Sequence, residues 1–236
     1  MLETSLALPS STPLLGGRTR TGLGAWQSAG GSGARNVTSL VRRGIDVTVA
    51  SVSLLVLAPV FFAIALVIRL ESRGPALFVQ RRVGLRGARF SLYKFRSMCV
   101  DAEQRRRAVV ESAGAEEDVR FKWSADPRIT PVGRILRRFS LDELPQLLNV
   151  LRGDMSLVGP RPPIPEEVER YTPRQLGRLA VRPGLTCTWQ VGGRAEIPFE
   201  EQVEMDLDYI RRRSLCNDLK ILLQTPRAVL LGRGAY

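Results

Sequence analysis

The sequence predicts an α+β protein: a membrane-embedded re-entrant helix, then a small, mainly helical cytoplasmic domain with a β-hairpin. Three observations lead there. No charge occurs between Asp46 and Arg69; as a helix this stretch reaches about 33 Å, the thickness of a bilayer core. Pro59 stands near its middle, where proline removes a backbone hydrogen bond and bends a helix. Behind it, two short β-like runs flank a glycine-bearing turn, and apolar residues later recur at helical spacing.

Taken in order, residues 1–36 are rich in Gly, Ser, Thr and Pro ("SSTPLLGG", "SAGGSGAR"). No apolar run follows a basic start, which argues against a signal peptide, and a disordered tail is expected. Residues 37–73 are expected to form the membrane helix. Arg42 and Arg43 precede the uncharged run, and Arg69 and Arg73 follow it. Basic flanks favour the cytoplasmic side, and a helix that turns back at Pro59 puts both flanks there. The alternative is a buried helix of a soluble core.

Residues 74–236 make the third part. "ALFVQRR" and "RFSLYKF" read as a β-hairpin around Gly84 and Gly87. "DAEQRRRAVVESA" (101–113) reads as a polar helix. Pro127, Pro131 and Gly133 leave room for a short helix near 134–139. "EEVERYTPRQLGRLA" suggests two short helices broken at Pro173, and "RPGLTCTWQVGGR" (182–194) is turn-rich and strand-like. Phe199, Val203, Leu207 and Ile210 fall on one helical face. Residues 218–234 are apolar on one side and carry Lys220, Arg227 and Arg233. That pattern suits a membrane surface or a packed core helix. No internal repeat is visible.

The formal net charge is +12, and of 35 basic residues only Lys94, Lys122 and Lys220 are lysine. An acidic partner fits: nucleic acid, anionic lipid or a phosphorylated substrate. A genome rich in Arg codons would leave the same bias. Arginine grips phosphate with a planar fork. There is no histidine, which excludes Ser-His-Asp and Cys-His arrangements and most zinc sites. Acid–base or nucleophilic chemistry must come from other side chains. Cys99, Cys187 and Cys216 lie far apart and fit incidental thiols in a reducing compartment.

The informative stretch is "RRFSLDELPQLLNVLRGDMSLVGPRPP" (137–163). Two readings stand for Asp142 and Glu143. In one, Ser140 and Glu143 form a capping box and Asp142 simply favours a helix start. In the other, Arg137, Arg138 and Arg161, with Lys94 and Arg96 from "YKFRSM", build an anion site around the pair. There Asp142, kept ionised, attacks phosphorus to give an acyl phosphate, and Glu143 holds Mg²⁺.

The chain resembles the bacterial sugar transferases, the monotopic polyprenyl-phosphate phosphoglycosyl transferases, in their minimal catalytic form. The resemblance runs from about Arg43 to Gly234. "GPALFVQRRVGLRGARFSLYKFRSM", "DPRITPVGRILRRFSLDELPQLLNVLRGDMSLVGPRP", "RPGLTCTWQVGGR" and "DLDYI…NDLKILL" carry it. It implies transfer of a phospho-sugar from a nucleotide diphosphate sugar, usually a UDP-sugar, to polyprenyl (undecaprenyl) phosphate. The place implied is the cytoplasmic face of the bacterial inner membrane, with the 74–236 part as the catalytic domain. The pathway implied is exopolysaccharide or glycoconjugate synthesis. By the same resemblance Asp142 is the nucleophile, Glu143 the Mg²⁺ ligand, and Arg137, Arg161, Lys94 and Arg194 hold phosphates. Arg96, Asp154, Asp206 and Asp218 match further charged positions of the family. The family's anchor breaks at a Ser-Pro pair; here the pair is Ala58-Pro59, so Pro59 acts without the hydroxyl. Cys187, Gly192 and Arg213 also depart from the usual pattern. The sugar and the oligomeric state stay open.

Two further readings compete with the transferase. One is a membrane-tethered basic module that binds without catalysis; the other is a catalytically inactive relative. Nucleic acid is not an expected partner, since the tryptophans are not interleaved with basic patches.

Overall fold

The computed structural model describes residues 32–112, 126–232 and 234. Helices α1 (Ser32–Val56) and α2 (Ala58–Glu71) come first. They meet at an angle of 60°. Pro59 has no N–H for the carbonyl of Leu55, and its ring crowds that oxygen, so α1 stops. The same proline is harmless in the first turn of α2. Leu57 carries the chain round the corner: its N–H donates to Ser53 O, and its carbonyl accepts from Phe61 N, both at 2.9 Å. The expected break at Pro59 is therefore present without a serine hydroxyl. Of the expected tail 1–36, residues 1–31 lie outside the described part, and α1 already begins at Ser32.

Among the described residues, no single helix is long and apolar enough to cross a membrane. The bent pair meets that test together, by length and composition. Leu55, Phe62 and Leu70 are each more than 70 % exposed.

The front of α1 is tied down. Arg42 Nε donates to Asp218 Oδ2 at 2.6 Å. The Arg43 guanidinium donates to the carbonyls of Val150 and Leu151, near the end of α5 (Leu147–Arg152), where unpaired carbonyls attract a cation. Asp46 accepts from Ser156 Oγ at 2.7 Å and Leu157 N at 2.9 Å.

The expected hairpin forms from β1 (Leu77–Val83) and β2 (Arg89–Phe95), antiparallel, with Leu77 opposite Phe95 and Val83 opposite Arg89. Gly87 in the turn has φ +83°, a left-handed value that favours glycine. Phe90, Leu92 and Lys94 share one face by the period of two. Phe90 and Leu92 enter the core with Ala50, Leu147, Val150, Met155, Val158, Tyr209 and Ile221. Phe95, on the other face, packs with Ile64, Ile68 and Leu136.

Helix α3 (Arg106–Ser112) is shorter than expected. Residues 99–102 are held by Cys99 N to Arg128 O and Ala102 N to Cys99 O, and turns fill 101–105. Helix α4 (Pro131–Arg138) starts earlier than expected. Thr130 caps it, accepting from Gly133 N at 2.9 Å, and Pro131 suits its first turn. A Cβ on Gly133 would lie 2.0 Å from Ser97 O, so only glycine fits.

A 3-10 turn (Leu141–Gln146) leads into α5, which Gly153 ends at φ +89°. Strand β3 (Ser156–Val158) pairs in parallel with β4 (Gly184–Thr186). Between them lie α6 (Pro165–Val168) and a 3-10 turn (Gln175–Ala180), on either side of Pro173. The strand-like passage 182–194 is only part strand, since α7 (Thr188–Gly192) follows β4.

Helix α8 (Phe199–Arg211) buries Val203 and Leu207 on the expected face. Helix α9 (Leu215–Leu231) packs on the domain by one side only. Ile221 is in the core, while Leu219, Leu223 and Leu230 are exposed.

Arg42→Ala would leave Asp218 buried without its cation. We expect a loss of about 3 kcal/mol, measured by chemical denaturation in detergent, with partial recovery on adding Asp218→Asn.

Candidate active site

The 3-10 turn opens on an unusual residue. Ser140 is left-handed, at φ 52° and ψ 22°, and its side chain makes no capping hydrogen bond. An N-cap side chain works from extended backbone, so the capping-box reading of Ser140 and Glu143 does not hold. Only the backbone closes the turn, Glu143 N donating to Ser140 O at 3.2 Å. Glu143 reaches the other way. Its Oε1 accepts from Lys94 Nζ at 2.9 Å and from Arg161 Nη1 at 3.1 Å.

Period two along β2 sends Lys94 to this place, next to core residue Leu92. Arg161 arrives through the Gly-Pro-Arg-Pro turn, pinned by Gly159 N to Thr186 O at 3.1 Å and Gly184 N to Pro160 O at 2.9 Å. A Cβ on Gly184 would meet Gly159 N at 2.0 Å, so two glycines permit the approach.

These groups border one cavity of about 600 Å³. Asp142, Glu143, Lys94, Arg137, Arg161 and Arg194 all line it. Arg137 is held by Nε to Ser97 Oγ at 3.0 Å. Arg194 has a left-handed backbone, φ 56°, a conformation that costs a non-glycine residue on the order of 1 kcal/mol. Asp142 is 8 % exposed. Its carboxylate accepts no hydrogen bond from the described residues.

The two carboxylates are driven apart electrostatically. Burial raises the pKa of Asp142, and the charge of Glu143 adds to that, against Lys94 and Arg137. Burial would raise Glu143 too, but Lys94 and then Arg161 outweigh it and hold Glu143 well below the usual carboxylate range. Burial lowers Lys94, partly offset by Glu143. Glu143 raises Arg161. Glu143 is thus a fixed anion bound to two cations, and Asp142 is the carboxylate left free.

The other expected positions lie elsewhere or do other work. Arg96 borders the cavity, but its guanidinium donates to the carbonyls of Ile68, Ser72 and Arg73, closing the end of α2. Asp154 accepts from Asn149 Nδ2 at 3.1 Å. Asn149 is fully buried and also bonds Tyr93 N and Ser91 O, fastening β2 to α5. Asp206 pairs with Arg178, and Asp218 with Arg42. Pro59 is at the helix break.

Several residues were not singled out from sequence. Arg82 stands beside Arg161 in the cavity wall, lowered to about 10 by burial and then by Arg161. Asp126 and Arg128 form a buried pair at 2.7 Å in the same wall. Ser140, Trp189 and Gln190 also line it.

Among the described residues, no group of three or more His, Cys, Asp or Glu is placed to hold a metal ion. Both hydrogen bonds to Glu143 fall on Oε1. Its Oε2 and the Asp142 oxygens remain as hard donors. Mg²⁺ commonly takes one or two carboxylates and fills its other positions with substrate phosphate and water, so the donor set fits that ion.

The profile of the family described as "Bacterial sugar transferase" matches residues 37–232. The chain belongs to this family. The chain is similar to the galactosyl transferase CpsE of Streptococcus agalactiae serotype III (strain NEM316), 46 % identical over 197 residues, 83 % of this chain and 43 % of CpsE. It is 43 % identical over 215 residues to the UDP-glucose:undecaprenyl-phosphate glucose-1-phosphate transferase of Caulobacter vibrioides (strain ATCC 19089 / CIP 103742 / CB 15), covering 88 % of this chain and 76 % of that protein. It is 39 % identical over 208 residues to the exopolysaccharide production protein ExoY of Rhizobium meliloti (strain 1021), covering 86 % and 91 %. The chain thus spans less than half of CpsE and most of ExoY.

The opposed pKa shifts of the two carboxylates set opposite effects on stability. Glu143, depressed when folded, adds stability above its unfolded value of about 4.3; that stability is lost as pH falls through the folded value. Asp142, raised when folded, lowers stability where it is ionised. Asp142→Asn is therefore expected to raise the denaturation midpoint at pH 7, with the gain shrinking toward pH 4. Glu143→Gln is expected to lower the midpoint at pH 7.

Proposed function

We propose that the protein transfers a sugar phosphate from a nucleotide diphosphate sugar, of the UDP type, to undecaprenyl phosphate. The reaction would be a first membrane step of exopolysaccharide or glycoconjugate synthesis, at the cytoplasmic face of the bacterial inner membrane. One observation carries this reading. A carboxylate that accepts no hydrogen bond from the described residues, Asp142, borders a cavity whose wall holds Lys94, Arg137, Arg161 and Arg194. The names of relatives, with UDP-glucose as donor and undecaprenyl phosphate as acceptor in one, support the same reading.

In the first step an Asp142 oxygen attacks the sugar-bearing phosphorus. The bond from that phosphorus to the bridging oxygen breaks, and the electron pair leaves with the nucleoside monophosphate. In the second step a phosphate oxygen of the lipid attacks the same phosphorus and releases the Asp142 carboxylate. Lys94 and Arg161, fixed by Glu143, and Arg137 and Arg194 meet phosphate charge as it shifts. Glu143, through Oε2, and Asp142 would hold Mg²⁺, which when bound neutralises further phosphate charge. Covalent catalysis by a carboxylate divides one displacement into two. No histidine is required.

Attachment to the membrane has its own support. The bent α1–α2 pair is apolar, largely exposed and flanked at both ends by arginine. The exposed stripe Leu219, Leu223 and Leu230 lies on α9 with Lys220 and Arg227 exposed nearby. Such a helix suits an anionic lipid surface.

Incubated with a UDP-sugar and Mg²⁺ but no lipid, the protein is expected to gain the mass of one sugar phosphate at Asp142. The Asp142→Asn variant is expected to gain none and to lose turnover by at least a hundredfold. Intact-mass spectra of unmodified protein under turnover conditions would refute the covalent route. For topology, single cysteines are placed at positions 40 and 72 in a background without Cys99, Cys187 and Cys216. Both are expected to react with an impermeant reagent from the cytoplasmic side. Labelling from opposite sides would rule out a re-entrant helix.

A further inference from the structure

Gln190 lies on α7 and borders the same cavity as Asp142 and Arg161. The helix is braced from behind. Trp189 Nε1 donates to Asp206 Oδ2 at 3.4 Å, and Asp206 is bound by Arg178 through Nε at 2.9 Å and Nη2 at 2.8 Å. Arg178 also donates to the Tyr171 hydroxyl at 2.6 Å.

The Gln190 side chain stands apart from this network. Its Oε1 is enclosed without any donor among the described residues. An orphaned oxygen of this kind costs about 1–3 kcal/mol, and an aliphatic side chain there would avoid the cost. The terminal torsion of glutamine is broad, so the carboxamide turns easily toward the cavity it lines.

We infer that Gln190 is a specificity-determining contact for the nucleotide sugar, its carboxamide hydrogen-bonding an uncharged polar edge of that ligand. This rests on the transferase reading above. Two chemical facts select the donor substrate. The phosphates already face Lys94, Arg137, Arg161 and Arg194, and a neutral amide adds little for them. The lipid acceptor offers only a phosphate and a hydrocarbon. The neutral hydrogen-bonding edges belong to the donor: its nucleoside, with a pyrimidine imide and ribose hydroxyls, and the hydroxyls of its transferred sugar. A carboxamide, both donor and acceptor, complements either.

The test uses Gln190→Leu in an Asp142→Asn background, which holds the donor unreacted. Titration calorimetry measures the Kd of UDP, UDP-glucose and UDP-galactose, and denaturation without ligand gives the midpoint. Gln190→Leu is expected to leave the midpoint unchanged or raised and to weaken a UDP-sugar about tenfold. If UDP weakens equally, the contact is to the nucleoside; if UDP is unaffected, it is to the transferred sugar. Both kinds of ligand bound within twofold of the parent, or a lowered midpoint with unaltered Kd values, would overturn the assignment. Should leucine prevent folding, the unbranched Gln190→Met is read in the same way. Nucleotide binding without turnover in the unmodified protein would count against the transferase reading and leave the Kd comparison decisive for Gln190.

Discussion

One carboxylate oxygen organises the site. Glu143 Oε1 receives both Lys94 and Arg161, and so joins β2, the 3-10 turn and the turn after β3. Three segments distant in sequence are held at one point. The bonds are charge-assisted and part-buried, where water screens them little. The clasp also neutralises most of the charge next to Asp142. Without it two adjacent carboxylates would repel each other in a poorly solvated pocket. With it, Glu143 stays an anion and Asp142 is left without a hydrogen-bond donor among the described residues.

The site depends equally on how α1 meets the domain. Arg42, Arg43 and Asp46 each bond to a different part: α9, the end of α5, and β3. These bonds fix the direction of α1 before the chain reaches the 60° bend. Arg96, from the end of the hairpin, fixes the far end of α2. The apolar bent pair is therefore oriented relative to the cavity at both its ends. The proposed transfer from a nucleotide sugar to a lipid phosphate requires that relation to be constant.

The cavity wall shows stability conceded to function at several points. Ser140 and Arg194 hold left-handed backbone without being glycine. Asp142 buries a carboxyl group, and the enclosed Oε1 of Gln190 meets no donor among the described residues. Each departure faces the same space. Elsewhere the buried polar groups are mostly paired, as Asn149, Asp46 and Asp126 illustrate. Local rules tend to be broken where a ligand is to complete them.

Much was legible in the residues alone. Pro59 marked the bend because its missing N–H and its ring act wherever it stands in a helix. The hairpin and the α8 face followed from periodicities of two and 3.6, which are properties of the backbone. The early start of α4 was also written locally, in the Thr130-Pro131 pair, although the later glycine drew attention away from it. An anion site of Lys94, Arg137 and Arg161 around Asp142 and Glu143 was one of two readings of the residues, and Arg194 joined it through the motif resemblance; composition and spacing could not place them in one cavity. Ser140 and Glu143 show the limit most plainly. By local chemistry they form a capping box, yet the left-handed serine and two cations from distant segments draw Glu143 away. The roles of Asp206 and Asp218 were equally hidden, since Arg178 and Arg42 are remote in sequence. Local sequence determines helix, strand and turn because those hydrogen bonds close within a few residues. Which charge meets which is decided only when the chain folds back, because Coulomb energy depends on distance and burial.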